Sequence, residues 1–207
     1  MDDGVDFSEI ADCKILIVDD VAVLRTLILT CLMKAGYKNL HTAASGDEAL
    51  RMIAEIKPDL LILDIVMPGI DGFEVCRTIR NDKEYANLPI LIQTGMEATQ
   101  ERAEVFEAGA NDLISKPINV YELVARVKLQ LHNVILQRKQ KEYQARMEQE
   151  LSSARVIQES LLPSPETLHD IHNQMHLKIQ NHWRASSELG GDLWGIQKID
   201  SNRLGFF

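Results

Sequence analysis

The chain has 207 residues, 45% of them apolar and 26% charged, with a formal net charge of -9 at pH 7. That size suits one domain with a substantial extension or two small domains, and the acidic balance argues against a broad nucleic-acid footprint. The longest apolar stretch, Val21 to Met33, is broken by Arg25 and too short to cross a bilayer; the acidic start (Asp2, Asp3, Asp6) is unlike a secretory signal; and Cys13, Cys31 and Cys76 lack metal-ligand spacing, so they read as reduced thiols of a cytoplasmic protein.

Residues 1–12 read as a loosely held tail. Lys14-Ile15-Leu16-Ile17-Val18 is a first buried strand ending in Asp19-Asp20. An amphipathic helix follows, with Leu24, Leu27, Ile28, Cys31, Leu32 and Ala35 at helical spacing and Gly36 as its stop. Asn39 to Ala43 is a short second strand. Ser45 and Glu48 form a capping box for a helix running to about Ile56, which Pro58 ends. Leu60-Leu61-Ile62-Leu63-Asp64 is a third strand. Its unbroken apolar run is the habit of a parallel sheet covered on both faces. Pro68 and Gly69 force a turn, and Asp71 with Glu74 caps the next helix, which places Val75, Cys76 and Ile79 on one face. Residues 89–95 are a fourth strand, 98–108 a polar helix closed by Gly109, and Asp112 to Ser115 a fifth strand leading into Lys116-Pro117. Five strand–helix alternations predict an α/β fold: a doubly wound, five-stranded parallel sheet between two helix layers, spanning residues 13–130.

Asn119 and Glu122 can cap a helix, and no Gly or Pro occurs from there until Pro163, which predicts one continuous helix. Its first part is apolar and suits the sheet. Its second part is charged, with a thin stripe of Leu136, Tyr143, Met147, Ala154, Ile157 and Leu161 interrupted by Gln140 and Glu150. Such a stripe calls for a partner helix, and residues 136–161 read as a homodimeric coiled coil within a 131–162 linker; the alternative is a solvated extension. After Pro163 comes a polar loop with His169, His172, His176 and His182. The first three share helical spacing for metal ligands, but without a supporting Cys or carboxylate cluster they read as surface residues. Residues 163–207 end in a hairpin reaching Phe207. This stretch is too small for its own core and reads as the truncated start of a small α/β domain.

If the strand order is 2-1-3-4-5, the switch point lies between the first and third strands. There Asp19, Asp20 and Asp64 converge. Each alone could be a solvated carboxylate closing a strand. Together they would repel and raise one another's pKa unless a cation sits among them, and an oxygen-only, partly open site suits Mg²⁺. Thr94 adds a hydroxyl at the fourth strand tip and Lys116 an ammonium after the fifth. These groups suit a phosphoryl transfer onto Asp64 through an acyl phosphate.

These residues make the sequence resemble a response regulator receiver domain, with a flavodoxin-like fold. The resemblance covers residues 13 to about 130. It rests on Asp19-Asp20, on Asp64 within Asp-x-x-Met-Pro-x-x-Asp-Gly, on Thr94 and on Lys116-Pro117. It implies Mg²⁺ held by Asp20, Asp64 and the Val66 carbonyl, with Asp19 acting through water. It also implies phosphorylation of Asp64, Thr94 as the reporter, Lys116 paired with the phosphoryl group, and a sensor histidine kinase or phosphotransfer protein as partner. The family's usual aromatic three residues before the lysine is Leu113 here, so coupling is expected to run through Thr94 and the backbone. Val66 and Met96, beside the crevice, do not orient water, so a long-lived aspartyl phosphate is expected.

Ala154 to Pro163, followed by Gly190-Gly191-Asp192, is similar to the entry of SpoIIE-like, PPM-type serine/threonine phosphatases. That resemblance implies Asp192 as a ligand for Mn²⁺ or Mg²⁺ in a complete domain and an anti-sigma antagonist as substrate. The family's Asp-x-x-Gly-His-Gly segment is absent, so this chain is expected to lack phosphatase turnover; the alternative to the resemblance is a helix C-terminus followed by a Gly-Gly turn. The combined expectation is a phospho-receiver controlling a phosphatase through a helical linker. The alternative is a dimerisation scaffold without enzymatic output. A dehalogenase-type phosphatase would need Asp-x-Asp on its first strand, and a transcription factor a helix-turn-helix after the receiver.

Overall fold

Five short strands form the sheet: β1 (Lys14–Val18), β2 (Asn39–Ala43), β3 (Leu60–Asp64), β4 (Ile90–Thr94) and β5 (Asp112–Ser115). All pairings are parallel, in the order β2-β1-β3-β4-β5. The structure is a computed structural model that describes residues 6–95, 99–177, 179–180 and 193–207. The chain divides into two units, Met1–Arg138 and Lys139–Phe207.

In the first unit, strand alternation sends side chains to two separate cores. Leu61, Leu63, Ile90 and Ile92 pack with helices α3 (Gly46–Ile56) and α4 (Gly72–Asn81). Ile15, Ile17, Ile62 and Leu91 pack on the other face with α2 (Ala22–Lys34) and the start of α6 (Val120–Ser160). Helix α5 (Thr99–Glu107) lies in sequence between β4 and β5. Every residue of β3 and β4 is buried, as the unbroken apolar runs require. The capping signals hold. The Glu48 N–H donates to the Ser45 hydroxyl at 3.3 Å, the Glu74 N–H to the Asp71 carboxylate at 2.8 Å, and the Tyr121 N–H to the Asn119 side chain at 3.0 Å.

Three expectations change. The N-terminal tail contains a short helix, α1 (Phe7–Ala11), whose Ile10 is buried with Cys13 and Tyr37 in the α2–α6 core. One turn offers a single apolar anchor, too little to show periodicity. Leu27, placed on the inner face of α2 by its spacing, is exposed; Ile28 and Leu32 alone on that helix are fully buried. The stretch after Pro163 is a helix, α7 (Pro165–Met175), and not a polar loop. The Thr167 N–H caps onto the Ser164 hydroxyl at 3.1 Å, Pro165 takes the first turn, and His176 closes it in the left-handed region. The second unit ends in an antiparallel hairpin, β6 (Ile196–Lys198) with β7 (Leu204–Phe206), as expected.

Candidate functional site

Asp19 follows β1 directly and Asp64 ends β3, two hydrogen-bonded neighbours at the centre of the sheet. Their apolar strand residues are fully buried, so the strands deliver both carboxylates into a low-dielectric crevice: Asp19 is 0% exposed and Asp64 4%. Asp20 is exposed at the rim. One carboxylate oxygen from each of Asp19, Asp20 and Asp64 lies within 4.8 Å of the others, the grouping of this kind found among the described residues.

Lys116 enters from β5. Its Nζ lies 2.8 Å from Asp64 Oδ2 and 3.2 Å from Asp19 Oδ2. The backbone supports this arrangement. The Lys116 N–H donates to the Thr94 carbonyl at 2.7 Å, and the Val21 N–H to Asp19 Oδ1 at 2.8 Å. Gly72 has a steric reason to be glycine: an added Cβ would lie 2.3 Å from the Asp64 carbonyl oxygen and 2.7 Å from Ile65 Cα. The Met-Pro-Gly turn, with Gly69 at φ +82, thus folds back tightly on the strand tip.

Burial pushes the Asp64 carboxyl above its ordinary range. The Lys116 ammonium and the Val66 N–H oppose this, and the Asp19 charge adds to it. Burial alone would lower the Lys116 ammonium, but its contacts with Asp64 and Asp19 outweigh that and raise it. Each partner thus favours the other's charged form, but burial still leaves the Asp64 carboxyl shifted upward.

Three carboxylates against one ammonium leave an excess of negative charge made only of oxygen donors, open at Asp20. The donor set of Asp19, Asp20 and Asp64 fits a hard divalent ion of the Mg²⁺ type. Val66, two residues after Asp64, is exposed. Thr94 is at the expected strand tip and buried, but alternation assigns its side chain to the β4 face that carries Ile92, opposite to Asp64's. Leu113 is buried among the α3–α4 core residues. Asp192, His182 and Met96 lie outside the described residues. His169, His172 and His176 are exposed and form no ligand group among the described residues; His172 Nδ1 instead pairs with the Leu177 carbonyl at 3.0 Å. One buried polar residue escaped the sequence reading: Gln93, fully buried beside Asp64. A glutamine inside an apolar strand run was its only signal.

A doubly wound α/β domain with an acid-and-lysine crevice at its switch point defines the class. The family model of the response regulator receiver domain matches residues 15–128, more than half of the chain, and the chain belongs to that family. Transcriptional regulatory protein YvrH of Bacillus subtilis (strain 168) is 40% identical over 120 residues, 58% of this chain and 49% of that protein. Response regulator PleD of Caulobacter vibrioides (strain NA1000 / CB15N) is 37% identical over 115 residues, 56% of this chain and 25% of that protein. The similarity thus spans half or less of these relatives' length. Among solved structures, chemotaxis response regulator CheY4 of Vibrio cholerae aligns at 32% identity with a TM-score of 0.55, covering 57% of this chain and 98% of that one. Receiver domains use Mg²⁺ at an acidic site and partner with histidine kinases or phosphotransfer proteins. Among the described residues, no helix is long and apolar enough to cross a membrane.

Proposed function

We propose that this chain is a cytoplasmic two-component switch phosphorylated on Asp64. The observation that carries the reading is the Lys116 ammonium shared by the buried Asp64 and Asp19 carboxylates. Lys116 opposes the upward push that burial exerts on the Asp64 carboxyl, and from the ionised form one carboxylate oxygen attacks the phosphorus of a phosphohistidine or small acyl phosphate. The bond from phosphorus to its leaving nitrogen or oxygen breaks, and the leaving group takes up a proton from solvent. Asp19, Asp20, Asp64 and the Val66 carbonyl would hold Mg²⁺, which supplies neutralisation of charge on the transferring group. Lys116 then pairs with the phosphoryl oxygens; Thr94, at the neighbouring strand tip, is the residue the family resemblance assigns to sensing them, and it would have to turn toward Asp64 from the opposite face of β4 to do so. Incubation with acetyl phosphate and Mg²⁺ should add one phosphoryl group by intact mass, and Asp64→Asn should abolish it. A normal adduct on that variant would refute the assignment.

We assign residues 13–130 to the receiver, 131–162 to a helical linker that pairs with a second copy, and 163–207 to the start of an output domain. The similarity of residues 154–163 and 190–192 to PPM-type phosphatases supports a serine/threonine phosphatase output in a longer parent protein, with Asp192 as a metal ligand and an anti-sigma antagonist as substrate. The comparisons carry the receiver only. YvrH is named as a transcriptional regulator, and a regulatory partner of that kind is the second reading for the output. A scaffold without enzymatic output is the third; beryllofluoride with Mg²⁺ separates it from the first, because a scaffold would not respond.

A further inference from the structure

β4, next to the Asp64 strand, carries a buried polar side chain that the reaction above does not use. Gln93 is 0% exposed, and neither its carboxamide oxygen nor its nitrogen has a hydrogen-bond partner among the described residues. Burying an amide without partners is unfavourable, and buried polar groups in folded proteins are nearly always satisfied. Among the described residues both atoms are thus available to pair when the site changes state.

The sheet identifies the partner. Gln93 is in register with Asp64 on the neighbouring strand and donates nothing from its side chain, although its backbone carbonyl accepts the Ile65 N–H at 3.4 Å. Alternation places Gln93 on the face that carries Leu91, Ile62 and Ile114, and so on the same face as Asp64, Asp19 and Lys116. Lys116 follows β5, Asp64 ends β3, and β4 lies between them. Lys116 Nζ lies 2.8 Å from Asp64 Oδ2 although β4 separates their strands, and Gln93 is the β4 residue in register with Asp64. An ammonium has three N–H donors. Two are directed at Asp64 and Asp19 here, so a third remains for a carboxamide oxygen.

We infer that Gln93 is a positioning residue of the phosphoryl site. Its carboxamide oxygen accepts from the Lys116 ammonium once a phosphoryl group on Asp64, with a cation among the carboxylates, draws that ammonium away from Asp19. Lys116 is thereby held against the phosphoryl oxygens in the modified state. The resting state lacks this bond, so Gln93 biases the switch toward the phosphorylated form. This rests on the phosphoryl reading of Asp64.

The test titrates beryllofluoride calorimetrically into the full chain at saturating Mg²⁺. It compares wild type with Gln93→Met, which keeps the length and removes both polar atoms, and with Gln93→Leu should the first not fold. Expected are about tenfold weaker beryllofluoride binding, ~1.4 kcal/mol, Mg²⁺ affinity within about twofold, and a Tm equal to or above wild type. Beryllofluoride affinity equal to wild type overturns the inference and leaves the phosphoryl reading intact. A parallel fall in Mg²⁺ affinity and Tm also overturns it, because Gln93 would then act by packing alone. A wild-type chain that does not bind beryllofluoride overturns both.

Discussion

The two halves of α6 are one helix with two physical characters. Leu123, Val127, Leu131 and Ile135 recur every four residues and are buried in the α2–α6 core. From residue 136 to 150 every side chain is exposed, and Leu136, Tyr143 and Met147 are among them. Helix propensity alone does not separate the halves. The first is held by tertiary burial; the second has only its own hydrogen-bond ladder and solvent in this structure. The changeover comes near Arg138, whose guanidinium pairs with Asp59 at the end of the third-strand approach. Asp59 is itself tied down, accepting the Lys14 N–H at 2.7 Å. A continuous helix therefore reports its environment only through which side chains find neighbours.

The sharpest way to break this comparison is in the buried half. Leu131→Ala should cost roughly 2–5 kcal/mol of stability, because it leaves a cavity in a closed core. Thermal unfolding measures it; a loss below ~1 kcal/mol would mean that α6 is not docked as a core element. Cys13 lies in the same core and serves as a second probe. Burial, then the Asp59 charge, raises its thiol from 9.0 to about 11. The folded thiol is thus protonated at pH 8 and should alkylate slowly, and Leu131→Ala should speed it. The sign for stability follows: the contribution of this thiol is complete below pH 9.0 and is lost as pH rises through about 11.

A smaller effect is expected at the changeover. Arg138→Ala removes a pair in which Asp59 is nearly buried but keeps its bond to Lys14, so about 0.5–1 kcal/mol should be lost. Amide exchange in residues 131–138 should rise with it; unchanged exchange would show that the pair does not fix where the helix leaves the sheet.

The smallest effect on monomer stability belongs to the exposed half. Tyr143→Ala with Ile157→Ala should change unfolding by no more than ~0.5 kcal/mol. The same double variant should weaken self-association in sedimentation at micromolar concentration, since pairing is what removes that apolar stripe from water. Wild type that sediments as a monomer with and without beryllofluoride would leave this half as a solvated extension.

The sequence by itself determined the strand ends, the sheet class and the acid–lysine crevice. Leu60 to Leu63 and Ile15 to Val18 are continuous apolar runs, each followed directly by a carboxylate, and such runs encode both burial and the position of the charged tip. Caps at Ser45, Asp71 and Asn119 were equally legible, because capping depends on residues three apart in the chain. Tertiary structure decided what depends on distant neighbours. Ile10 is buried only because the α2–α6 core has a place for it, and Leu27 is exposed because the face of α2 that meets the sheet is narrower than its apolar pattern. The same holds for Gln93, whose side chain has no hydrogen-bond partner among the described residues although β3 and β5 flank its strand. Periodicity specifies which way a side chain points; only the packed sheet specifies what it meets there.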